Sequence, residues 1–174
     1  MICALETEQD VEEEILRQYF VLAKGRTYEQ DPNWGFIVLS EAAQRALSPA
    51  VNDPGTAINI MAIMMNLFVQ EPEPQSEADV VEYDRLSIAQ LDCAEWIRDA
   101  FAPISRDGAG ILEVNLVMQK VLASIWRNVP EKAVSNAALL MAEQALARAE
   151  QALALQAERE QLREKHNQLF HSVR

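Results

Sequence analysis

The sequence predicts an all-α fold, a compact bundle of six or seven helices. Three observations carry this. Only five glycines occur in 174 residues, against abundant alanine and leucine, a balance that favours helix over sheet. Apolar residues recur at three-, four- and seven-residue spacing in segment after segment. Asp-Pro pairs stand where helices should begin, at Asp31-Pro32 and Asp53-Pro54.

The first helix is expected over 8–23, with Val11, Ile15, Leu16, Tyr19, Phe20 and Ala23 on one face. Its acidic first turns suit the positive end of the helix dipole, and Gly25 ends it. Proline at the first helical position has the right φ and lacks a donor that would be unpaired there anyway. Asp31 should therefore cap a second helix over 32–47, and Asp53 a third over 54–70. Ser48-Pro49 stops the second, because a residue before proline resists the α conformation. The stretch SPAVNDP is thus a tight corner between two helices. The third helix is apolar on nearly every side except the Asn59–Asn66 line, which predicts that it is central to the core.

Residues 71–84 read as an acidic linker. VVEYDRLSI, Val80 to Ile88, is β-branched enough for one short β-hairpin near 80–88. Asp92 should cap a fourth helix over 92–104, and a fifth follows over 111–127. Beyond Pro130 no proline or glycine occurs. Leu139, Leu146 and Leu153 repeat by sevens, then the pattern shifts to Leu155, Leu162 and Leu169. A pair of helices, 131–154 and 156–170, fits that stutter. The whole chain, 1–174, is expected to form one helical domain.

Charge narrows the partners. Residues 6–14 and 71–84 hold six acids each and no base, so the remaining fifteen acids match the fifteen bases and the net charge of −12 resides in these two runs. No basic face exists for nucleic acid or for an anionic membrane surface. Cys3 and Cys93 lack CxxC spacing, which points to a reducing compartment. The longest apolar stretch, Ala57 to Val69, falls short of the roughly 20 residues that a membrane-spanning helix needs. The chain is expected to be soluble and cytoplasmic.

One block is distinctive: GRTYEQDPNWGFIVLSEAAQRALSPAVNDPGTAINI, from Gly25 to Ile60. Its RTYEQDP opening and RALSPAVNDPGTA corner resemble the signature of a bacterial family of predicted membrane proteins, domain-of-unknown-function family 2254. DRLSIAQLDCAEWIRDAFAPI and AALLMAEQALARAEQAL resemble that family's C-terminal region more loosely. Members of the family carry several transmembrane helices ahead of this region. The resemblance thus implies a link to a transmembrane region or membrane-protein assembly, through segments outside this chain. A stand-alone relative and the tail of a longer protein are both compatible with it. It implies no reaction.

The best polar constellation comprises Arg26, Glu29 and Asp31 before the second helix, and Arg45, Ser48, Asn52 and Asp53 after it. Two arginines beside a helix N-terminus could hold a carboxylate or phosphate. Capping plus Arg–Asp pairing explains the same residues structurally. The function that follows is a non-enzymatic ligand-sensing or protein-interaction module. The alternative is an enzyme of unassigned class using Asp31 or Asp53 as base in an Arg-containing pocket. No cofactor motif appears; His166 and His171 are five apart without further ligands, which argues against zinc. Met61, Met64 and Met65 read as core filler. The leucine stripe of the sixth helix offers a seam for a homodimer, or a contact within one chain.

Overall fold

The computed structural model describes residues 3–5, 12–18, 25, 27–28, 31–70, 86–88 and 91–170. Contacts divide the chain into two units, one of 1–27 with 71–91, the other of 28–70 with 92–174.

In the first unit, β1 (Cys3–Leu5) pairs antiparallel with β2 (Leu86–Ile88), Cys3 opposite Ile88 and Leu5 opposite Leu86. The short hairpin expected near 80–88 is corrected: its described part is the single strand Leu86–Ile88, which pairs with Cys3–Leu5 from the N-terminal end of the chain. Of the helix expected over 8–23, the described part is α1, Glu13–Arg17, with Glu12 and Gln18 outside it. The linker 71–84 lies outside the described residues.

The second unit is helical: α2 (Pro32–Leu47), α3 (Pro54–Val69), α4 (Cys93–Asp107), α5 (Leu112–Asn128), α6 (Lys132–Ala152) and α7 (Gln156–Phe170). Proline at the first position starts both α2 and α3. Ser48 turns extended at ψ 148°, as its position before Pro49 requires, and ends α2. The stutter falls at 153–155, between α6 and α7.

One boundary differs instructively: α4 runs through Pro103 to Asp107, past the expected stop at 104. An interior proline loses the bond to the carbonyl four residues back and costs about 3 kcal/mol. Phe101 and Ile104 are both 0% exposed, and burying each contributes about 1.5–3 kcal/mol. Packing outweighs the break.

The core joins all six helices. Its fully enclosed side chains include Met61, Met64, Ile97, Phe101, Ile104 and Met118, so two of the three methionines fill the interior, while Met65 packs at its edge. The centre is formed by α4, lying between α2 and α6, and by α5, which meets α3, α6 and α7. The expectation of a central α3 is corrected: Ile63 and Leu67 are about half exposed on its outer face, at 49% and 51%. Hydropathy alone made it look enclosed, but only Ala57, Ile60, Met61 and Met64 are buried. Leu139 packs on the main core. Leu146 and Leu153 join a smaller cluster with Ala149 and Leu162. The stripe thus contacts its own chain.

Polar pairs fix the helices' register. Asn33 donates to Asp99 at 2.9 Å and Gln44 to Asp107 at 2.7 Å, both from α2 to α4. Buried Gln119 of α5 donates to the Ala142 carbonyl of α6 at 3.0 Å and lies 2.8 Å from Nδ1 of His166 in α7. At the α4–α5 turn, buried Asn115 donates to the carbonyls of Gly108, Ala109 and Ile111 at 2.8–3.0 Å.

Candidate functional site

The corner singled out by sequence is built from local bonds. Asp53 Oδ1 accepts from the Thr56 N–H at 3.1 Å, and Oδ2 accepts from the Thr56 hydroxyl at 2.6 Å. These bonds, the hydroxyl's first, hold its carboxyl below the usual carboxylate value of 3.8. Ser48 Oγ donates to the Arg45 carbonyl at 2.7 Å. Asn52 sits in the left-handed region at φ 49°, a conformation asparagine tolerates better than most residues. Its N–H donates to the Ser48 carbonyl at 2.8 Å, and the Asp53 N–H to the Ala46 carbonyl at 2.8 Å. Arg45, Asn52 and Asp53 are exposed.

Asp31 is not at this corner. It stands before the far end of α2, about 24 Å away along a 16-residue helix. The expected side-chain cap at Asp31 is also absent: the Trp34 N–H donates to the Asp31 backbone carbonyl instead, at 3.0 Å. Since α3 starts at the corner and packs back along α2, it does not carry Asp53 to Asp31. Arg26 and Glu29 lie outside the described residues. The structure therefore groups Arg45, Ser48, Asn52 and Asp53, separates them from Asp31, and spends both Asp53 oxygens on a helix cap.

A different feature is concave. A cavity of about 460 Å³ opens among α2, α3, α4, the 129–131 connection and the start of α6, a size within the roughly 300–1,000 Å³ usual for small-molecule sites. Its aromatic wall is Tyr28, Phe36, Phe68 and Trp96. Leu67, Val129 and Val134 add aliphatic surface, while Pro32 and Gly35 bring α2 backbone to it. The polar lining comes from Cys93 and Glu131. Hollows beside α4–α6 and between α5 and α7 are smaller, about 250 and 290 Å³.

The aromatic rings hold one another. Phe36 stacks on Phe68 with centroids 4.4 Å apart and leans on Trp96 at 5.8 Å; Tyr28 stacks on Trp34 at 4.7 Å. Such pairs contribute about 0.5–1.5 kcal/mol beyond burial and restrict the rings before any ligand arrives. Burial pushes the Cys93 thiol above its ordinary 9.0, with Glu131 and then Asp92 adding like-charge repulsion. That disfavours the thiolate, so Cys93 is a poor nucleophile here. Glu131 occupies the N-cap position of α6, yet its side chain makes no cap bond.

The sequence reading missed this cavity because Phe36, Phe68 and Trp96 come from three helices about thirty residues apart. The available signal was large aromatics on three helices that each carry an apolar face, a pattern shared with ordinary core. His166, weighed as a metal ligand, is instead a 5%-exposed core residue beside Gln119.

No curated protein and no solved structure matches the chain. Among the described residues, no helix is long and apolar enough to cross a membrane. The family described as predicted membrane protein (DUF2254) matches residues 1–124. That match includes the corner, α2 to α4 and most of α5, and it stops before α6, so the looser likeness of the later AALLMAEQALARAEQAL stretch lies outside it. The chain belongs to this family of predicted membrane proteins, DUF2254.

Proposed function

We propose that the helical unit is a non-enzymatic ligand-sensing module of a membrane-associated protein, and that the aromatic cavity is its ligand site. The supporting observation is the convergence of four aromatic side chains from α2, α3, α4 and Tyr28 around about 460 Å³. The enclosing elements lie far apart in sequence, so a ligand seated there bridges α2, α3, α4 and α6 and stabilises their arrangement. Such a change in helix packing is what a sensing module would pass to a partner assembly.

The alternative, an enzyme using Asp31 or Asp53, has less support. Both oxygens of Asp53 serve Thr56, and Asp31 lies a helix length from Arg45. The ligand site accordingly moves from the corner to the cavity.

A fragment library screened by thermal shift tests the proposal. Aromatic and aliphatic fragments should raise Tm in the native chain, and Val134→Phe, which fills the cavity, should abolish that rise while the protein stays folded. Fragment hits that stabilise both proteins equally would show that the cavity is not the site.

A further inference from the structure

We infer that the cavity selects a hydrophobic organic cation, a substituted ammonium group carried on an apolar body; this rests on reading the cavity as a ligand site. Among the described residues eleven line it; one of these is charged, Glu131, and none is Lys, Arg or His. An anionic ligand would find no counter-charge there and would face the Glu131 carboxylate. A neutral apolar ligand would fill the space but make no use of that carboxylate's charge. A cation satisfies both parts of the lining, since ring faces attract positive charge and a nearby carboxylate adds to it.

Three features of the lining agree with this assignment. Phe36, Phe68 and Trp96 are already packed on one another, so their order need not be created on binding. The Glu131 carboxylate makes no cap bond to the start of α6. The Cys93 thiol, also in the lining, is raised by burial and by the charges of Glu131 and Asp92, which marks the local field as negative. Two smaller hollows are mixed in charge: the one beside α4–α6 combines Asp92 and Glu95 with Arg98, and the one between α5 and α7 combines Glu164 with Lys120 and Lys165.

The test compares three probes of similar size on the full chain by calorimetry in about 0.15 M salt: phenyltrimethylammonium, its neutral carbon isostere tert-butylbenzene, and benzenesulfonate. The cation should bind at least about tenfold more tightly than the isostere, and the sulfonate should not bind. Glu131→Gln should weaken the cation several-fold toward the isostere's affinity, the rings keeping the remainder of the preference. Glu131 is exposed and makes no side-chain cap bond, so this variant should stay folded with a Tm close to the native one. It changes a net charge of −12 by one, so a several-fold loss is local and not a response to overall charge. Equal binding of cation and isostere, an unchanged cation affinity in Glu131→Gln, or preference for the sulfonate would overturn the cation assignment and leave the cavity reading standing. Failure of all three probes would overturn both.

Discussion

Phe36 of α2 and Phe68 of α3 stack with centroids 4.4 Å apart and interplanar angle 21°, and this pair joins the corner's two helices at the end remote from the corner. Phe36 is 7% exposed. Phe36→Ala removes its burial, its stack on Phe68 and its contact with Trp96, and should cost about 3–5 kcal/mol. Urea unfolding followed by tryptophan fluorescence measures it; a loss below about 1 kcal/mol would mean the wall is loosely packed.

Gly108 is required for space, not for unusual backbone. Its φ is −93°, but an added Cβ would lie 2.7 Å from Val114 Cγ1 and 3.1 Å from the Ile104 carbonyl oxygen. Gly108→Ala should therefore destabilise the α4–α5 turn by about 1–3 kcal/mol. Combining it with Val114→Ala should recover part of that loss, because the nearest obstacle has gone. A double-mutant cycle in urea reads this directly.

Gln119 bridges three helices from a fully buried position. Gln119→Leu keeps the volume but strips the Ala142 carbonyl and His166 Nδ1 of this partner. The Ala142 carbonyl keeps its place in the α6 ladder, but losing the buried Gln119–His166 bond should cost about 1–3 kcal/mol. Ser105→Ala should do the opposite. Among the described residues its buried hydroxyl has no hydrogen-bond partner, so removing it should leave stability unchanged or slightly raised. Thermal unfolding of the two variants side by side should show a lowered Tm for Gln119→Leu and an unchanged or slightly raised one for Ser105→Ala.

The two shifted groups give opposite pH responses. The Asp53 carboxyl titrates below its ordinary 3.8 in the folded chain. Its contribution is therefore present above pH 3.8 and lost as pH falls through the lower folded value. Asp53→Asn retains a capping oxygen but cannot titrate, and should flatten that acid limb. The Cys93 thiol titrates above its ordinary 9.0. Its contribution is present below pH 9.0 and lost as pH rises through the higher folded value, and Cys93→Ala should remove that loss. At pH 8 Cys93 should also alkylate more slowly than a peptide cysteine, and more slowly again when the cavity is filled.

The sequence made local punctuation legible. Pro32 and Pro54 define the starts of α2 and α3 because proline's fixed φ and missing donor act within one turn. The shift from Leu153 to Leu155 locates the break between α6 and α7 because it disrupts one continuous face. Long-range outcomes were harder to read. Pro103 signals a helix end by local rules, and only the burial of Phe101 and Ile104 carries α4 onward. The partner of Leu86–Ile88 is more than eighty residues away, and nothing in either segment names the other. The corner drew attention because its polar residues are adjacent in sequence, although adjacency equally suits a cap. The cavity went unread because its wall is assembled by packing α2, α3 and α4 together.

The central claim is that the ligand site is the cavity and not the Asn52–Asp53 corner. The most direct measurement is an amide-resonance titration of the isotope-labelled chain with the best stabilising fragment. Gly35, Cys93, Trp96 and Glu131 should shift together with one affinity, while Gly55 and Thr56 at the corner stay in place. Saturable shifts at Gly55 and Thr56, with the cavity residues unmoved, would contradict it and restore the corner as the binding site.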